Sequence, residues 1–254
     1  MTEHTGLSRG IPGSTLKLIA IITMMIDHTG ATVLRAILRL SSVTSQPDLL
    51  AFWNRAYSWS RSIGRIAFPI FCFLIVEGFV HTRSVKRYAW RLFLFALISE
   101  LPFDIALKGN WYYPQKQNVY FTLLIGLLVI AGISALEKKI SAVLRTGKQA
   151  AVFAFSIPVI ALGMYLALRI DTDYNYKGVF LIAVLYLSRR IRLFQCMAGA
   201  AAVSWELPAP IGFLPVYLYN GKRGLRMKYF FYWFYPVHLL ILFGLSEYVI
   251  PLLG

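Results

Sequence analysis

From Leu16 to the C-terminus, apolar blocks follow one another closely, and the charged residues between them fall in short clusters. Blocks of that kind permit few folds. Lipid offers no partner to a backbone N–H or C=O, so a spanning segment is either a helix, which pairs its own backbone, or a strand of a closed barrel. A barrel needs segments of about ten residues that alternate apolar and polar positions, and that alternation is absent. Composition agrees: 58% of the 254 residues are hydrophobic, and mean hydropathy is +0.62. The charged share is 15%, where a soluble domain averages about 25%. The sequence therefore predicts an all-α, polytopic helical membrane bundle. A polar cytoplasmic segment is expected over residues 1–15 and a single integral membrane domain over 16–254. No small-residue cleavage site follows a short apolar core near the polar start, so no cleavable signal peptide is expected.

Hydropathy marks about nine segments: Leu16–Ile37, Ile63–Val80, Tyr88–Leu107, Val119–Leu136, Ala150–Leu168, Tyr174–Ser188, Leu193–Glu206, Ala209–Tyr219 and Phe230–Leu252. The strongest basic clusters are Arg83/Lys86/Arg87, Lys138/Lys139/Arg145/Lys148, Arg189/Arg190/Arg192 and Lys222/Arg223/Arg226/Lys228. Placed in the cytoplasm they occupy alternate loops, which sets the N-terminus inside and the C-terminus outside a cytoplasmic (inner) membrane. Leu38–Ser62 reads as an outer loop, although it carries Arg39, Arg55 and Arg61. Two full spans need about 40 residues. Leu193–Tyr219 is shorter and has Pro208 and Pro210 near its middle, so a short or re-entrant hairpin is expected there. The net charge of +15 is explained by this topology, and no nucleic-acid partner is expected. Cys72 and Cys196 lie in apolar segments without a partner at ligand spacing and read as buried small hydrophobes.

Polar groups inside the apolar blocks carry the functional signal. Asp27 and His28 fall near the middle of the first segment. Each ionisable group near a bilayer centre costs roughly 2.5–3.5 kcal/mol, about what six leucines return. The other blocks add Arg35, Arg65, Glu77, Arg91, Glu100, Asp104, Asn118, Asn220 and His238. Adjacent helical residues point about 100° apart, so Asp27 and His28 cannot pair tightly, and Asp27 must find a cation on another span. Arg65 and Arg91 are the expected partners. Glu100 and Asp104, four apart, share a face of a helix that Pro102 kinks; with Asn118 they form an expected polar cluster. Tyr235 and His238, three apart, also share a face. Several chemistries are excluded. There is no HExxH, no GxSxG, no P-loop and no GxGxxG, and no metal site is expected. Proton-transfer chemistry around a histidine, or ion transport, remains.

The blocks IDHTG (26–30), IGRIAFPIFCFL (63–74), TRSVKRYAWRL (82–92), ISELPFD (98–104), NVYFT (118–122), YNGKRG (219–224) and KYFFYWFYPVH (228–238) together resemble the TraX family across nearly the whole chain. That resemblance implies a membrane acetyltransferase using acetyl-CoA, with a pilin-like peptide or a cell-envelope glycan as acceptor and membrane lipid around it. Acetylation needs a base for the acceptor's proton and a donor for the oxyanion. His28 is then the expected base, with Asp27 and His238 beside it and Arg65 or Tyr235 at the oxyanion. Glu100, Asp104, Asn118 and Arg91 are expected on the acceptor side. Arg83, Lys86, Arg87, Asn220, Lys222 and Arg223 are expected at the CoA phosphates. Two rivals remain open: a proton-coupled carrier with a buried Asp/Glu/His relay, and an assembly factor whose polar groups only fix packing. A transporter usually carries inverted repeats, and none is visible.

Overall fold

The computed structural model describes residues 10–144, 146–225 and 228–253. The N-terminal stretch 1–9 and the cluster members Arg145 and Arg226 lie outside the described residues, as does Gly254. Among the described residues the chain is helical, with no strand and two isolated bridges, Ile11 to Tyr219 and Gln117 to Thr172.

In chain order, α1 (Gly13–Thr29) runs through a π-helical turn, π1 (Gly30–Leu34), into α2 (Arg35–Ile37). Then follow α3 (Ser41–Thr44), α4 (Pro47–Gly64), α5 (Ala67–His81) and α6 (Val85–Phe103), which continues as π2 (Asp104–Lys108). Next come α7 (Val119–Val143), α8 (Lys148–Arg169), α9 (Asn175–Leu187) and α10 (Arg192–Ala202). A 3-10 turn (Ala209–Gly212) leads into α11 (Phe213–Tyr217), and α12 (Lys228–Gly244) ends in π3 (Leu245–Val249).

Five stretches are long and apolar enough to cross a membrane: Gly13–Ile37, Pro47–His81, Val119–Val143, Lys148–Arg169 and Tyr229–Leu252. They fit a multi-pass membrane protein. The expected count of nine is reached only with weaker segments. α6 and π2 carry Arg91, Glu100 and Asp104, α9 has 13 residues, and α10 and α11 are shorter still. The expected outer loop over Leu38–Ser62 is a helix for most of its length. Pro47 starts α4 with its φ already helical, and Asp48 favours the positive end of the dipole. Hydropathy missed α4 because polar residues are spread through it.

The described chain divides into two compact units. One holds Cys72–Leu97 and Pro114–Val203. Its centre is α7, α8 and α9 packed on one another, with Leu127, Ile130, Ile133, Leu181, Ile182 and Leu185 buried. Gly163 lets α8 approach α7, since a Cβ there would strike Val129. The outward face of α8, with Phe153, Phe155, Leu162 and Tyr165, is exposed, the pattern a helix shows toward lipid. Asn118 starts α7 by accepting from the Tyr120 N–H at 3.0 Å, and its amide donates to the Ala96 carbonyl at 2.8 Å. Glu137 binds Arg189 at 2.7 Å, and Arg192 pairs with Glu77 at 3.6 Å.

The second unit holds residues 10–71, 98–113 and 204–253. Here α1 and π1 pack on α4 and α12, while π1 also meets π2 and π3. A Cβ on Gly30 would overlap Ser60, and one on Gly64 would overlap Asp27, so these two glycines let α1 and α4 come together. The turn at 219–223 closes the start of α1: the Lys222 and Arg223 carbonyls accept from the Gly13 and Ser14 N–H groups at 2.8 and 3.1 Å. Asn220 braces that turn, donating to the Gly10 carbonyl at 2.7 Å and accepting from the Lys222 N–H at 3.0 Å.

Candidate functional site

His28 on α1 and His238 on α12 meet in the second unit. Nδ1 of His28 lies 2.6 Å from Nε2 of His238. The ring planes differ by 8° and the centroids are 4.9 Å apart, which is the bond plus two ring radii. The imidazoles therefore meet edge to edge in one plane. His238 is 2% exposed, and its Nδ1 lies 2.7 Å from the Phe234 carbonyl oxygen.

That carbonyl fixes the proton positions. A carbonyl only accepts, so Nδ1 of His238 carries the hydrogen, and in the neutral ring Nε2 keeps a lone pair. His28 Nδ1 must then donate to it. The remaining nitrogen of His28, Nε2, is left as a lone-pair base. When it takes a proton, the bond to His238 survives unchanged. Unlike His238, His28 retains some exposure. The Tyr235 ring stands edge-on to both, at 5.8 Å from His28 and 5.7 Å from His238.

Asp27 finds a cation on another helix, as expected, and this one is neither of the two expected arginines. Arg61 of α4 donates to Asp27 Oδ2 at 2.6 Å and to its backbone oxygen at 3.3 Å. Arg65 lies beyond the end of α4 and pairs with Glu206, which stands at the edge of an apolar block and is not singled out by sequence polarity. Arg91 lies on α6 in the first unit, 5.9 Å from the centre of the Tyr88 ring. Arg61 was missed because its segment reads as a loop; the amphipathic period of Pro47–Gly64 is the signal that finds it.

Asp104 is 2% exposed and accepts from the Tyr113 N–H at 2.8 Å. Its turn, π2, packs on π1 and α12, the elements that continue from His28 and carry His238. Glu100 sits one turn earlier in the same unit and is partly exposed. Asn118 belongs to the first unit, where it caps α7. Arg83, Lys86 and Arg87 stand at the start of α6 in that unit, whereas Asn220, Lys222 and Arg223 form the turn against α1 in the second. Among the described residues no three His, Cys, Asp or Glu side chains are grouped to hold a metal ion.

The fold and this site define a multi-pass helical membrane protein with a hydrogen-bonded histidine pair inside its spans. Residues 12–246 match the TraX protein family, and the chain belongs to that family. It is 31% identical over 255 residues to the probable fimbrial assembly protein FimC, serogroup H1, of Dichelobacter nodosus, covering 93% of this chain and 97% of that one. No solved structure matches the chain.

Proposed function

We propose that the protein is an integral membrane acetyltransferase that moves an acetyl group from cytosolic acetyl-CoA to an amine of a membrane-associated or extracytoplasmic acceptor. The observation that carries this reading is the fixed tautomer of the pair, which leaves His28 Nε2 as a base inside a span. Family membership and the fimbrial relative support a pilin-like peptide as the acceptor, ahead of an envelope glycan hydroxyl. N-terminus inside and C-terminus outside is the sidedness adopted, because it leaves the start of α1 facing the donor.

The acceptor nitrogen attacks the thioester carbonyl carbon, forming the C–N bond, while its proton passes to His28 Nε2. The oxyanion then collapses, the C–S bond breaks, and the thiolate takes the proton back from His28. His238 stabilises the imidazolium by accepting from Nδ1–H throughout. Tyr235, against both rings, is the oxyanion donor in this scheme, since Arg65 is held by Glu206. A positioned base contributes about 10²–10⁴-fold.

The test uses purified protein in lipid nanodiscs with radiolabelled acetyl-CoA and a peptide bearing a free N-terminal amine. Label should reach the peptide, and His28→Ala should cut the rate by about 10²–10⁴-fold without loss of folded protein. A wild type that neither releases CoA nor labels an acceptor would overturn the reading in favour of a carrier or an assembly factor.

A further inference from the structure

Lys17 is a partly buried cation inside the first apolar span. Its Nζ lies 5.2 Å from the centre of the Phe231 ring, and Arg223 is held one turn away, its carbonyl accepting from the Ser14 N–H at 3.1 Å. Among the described residues no carboxylate pairs with it. Like charges brought together at the edge of an apolar slab oppose folding unless an anion joins them. The turn that carries Lys222 and Arg223 closes on the first residues of α1, so the cations gather at this end of the unit.

Helical spacing links them to the histidines. Lys17 and His28 are eleven residues apart, within about 20° of one stripe of α1. Phe231 and His238 are seven apart, on one stripe of α12. The seam between the two helices thus has Lys17 on Phe231 at one end and His28 on His238 at the other. Ala20, Ile21 and Met24, all buried, line the α1 side between them. At about 1.5 Å per residue the two ends are roughly 16 Å apart along α1 and roughly 10 Å along α12.

We infer that Lys17, with Arg223, holds the phosphate end of a phosphopantetheine thioester whose arm lies along this seam and delivers its acetyl group to His28. The inference rests on the acetyltransferase reading of the histidine pair. The arm has thirteen bonds from sulfur to phosphorus; at three bonds per extended residue length it spans roughly 15 Å. That length reaches from one end of the seam to the other. A nucleoside triphosphate held at Lys17 would leave its reacting phosphorus far short of His28, so the spacing favours a donor with a long arm.

Two donors separate the possibilities. Acetyl-CoA has the phosphates; S-acetyl-N-acetylcysteamine keeps the thioester and lacks them. Lys17→Gln should raise KM for acetyl-CoA by about tenfold or more, the loss of one charge-assisted contact. Turnover of the short thioester should change far less, and Lys17→Arg should restore most of the acetyl-CoA KM. Equilibrium binding of CoA, which needs no chemistry, should weaken in Lys17→Gln by a similar factor. An unchanged KM and unchanged CoA affinity, or equal losses with both donors, would overturn the inference. A wild type that binds CoA through Lys17 yet transfers nothing would sink the acetyltransferase reading and leave the phosphate site standing.

Discussion

At the residue scale, His28 and His238 divide the labour. In the proposed reaction His28 meets the acceptor proton, and His238 acts through it by holding Nδ1–H. His238→Ala removes that acceptor and frees the ring to take the other tautomer. We expect a fall of about 10–100-fold in kcat, as for partners that orient a reacting histidine, with KM for acetyl-CoA little changed. A loss confined to KM would remove the positioning role. Asp27 is a structural neighbour, pinned by Arg61 above Gly64. Gly64→Ala inserts a methyl where Asp27 stands and should cost about 1–3 kcal/mol, typical of overpacking; a thermal melt at the wild-type midpoint would refute the close approach. Both histidines were visible in the sequence as misplaced polar groups. Their contact was not, because it joins residues 210 apart and depends on how α12 returns to α1. The need for a cation near Asp27 was legible from helical geometry. Its identity was not, because a segment of mixed polarity hid Arg61.

At the element scale, hydropathy located the strongly apolar helices and failed where amphipathicity rules. α4 is the clearest example. Its exposed face carries Phe52 and Trp59 beside Asn54 and Arg55, so no window stands out as a span. Ser58 lies in its interior, with its hydroxyl donating to the Asn54 carbonyl at 2.9 Å. Ser58→Pro should destabilise the protein by about 3 kcal/mol, read as loss of folded material on size exclusion after mild heating. A loop at this position would accept the proline without penalty. The prolines and length of the Leu193–Tyr219 stretch predict a short hairpin. It contains α10, a 3-10 turn and α11, consistent with segments too short to span.

At the scale of the whole molecule, α6 and α9 decide the topology. With α6 and α9 both crossing, a reporter fused after Arg145 faces the cytoplasm and one fused after Gly254 faces outward. With only the five strongly apolar stretches crossing, both reporters face outward. Opposite sidedness is the expected result; matching sidedness would remove α9 as a span, and an outward-facing reporter after Arg145 would remove α6. The three π turns carry a different consequence. Each closes its backbone bonds one residue later than an α turn does, so each holds one residue more than a regular helix of the same rise. Deleting a single residue within Gly30–Leu34, Asp104–Lys108 or Leu245–Val249 returns the local helix to α geometry without stretching the chain. The same deletion elsewhere in these helices rotates everything beyond it by about 100°. Natural length variation inside the spans of relatives should therefore collect at these three places, and the distance in sequence between His28 and the start of α1 should stay constant.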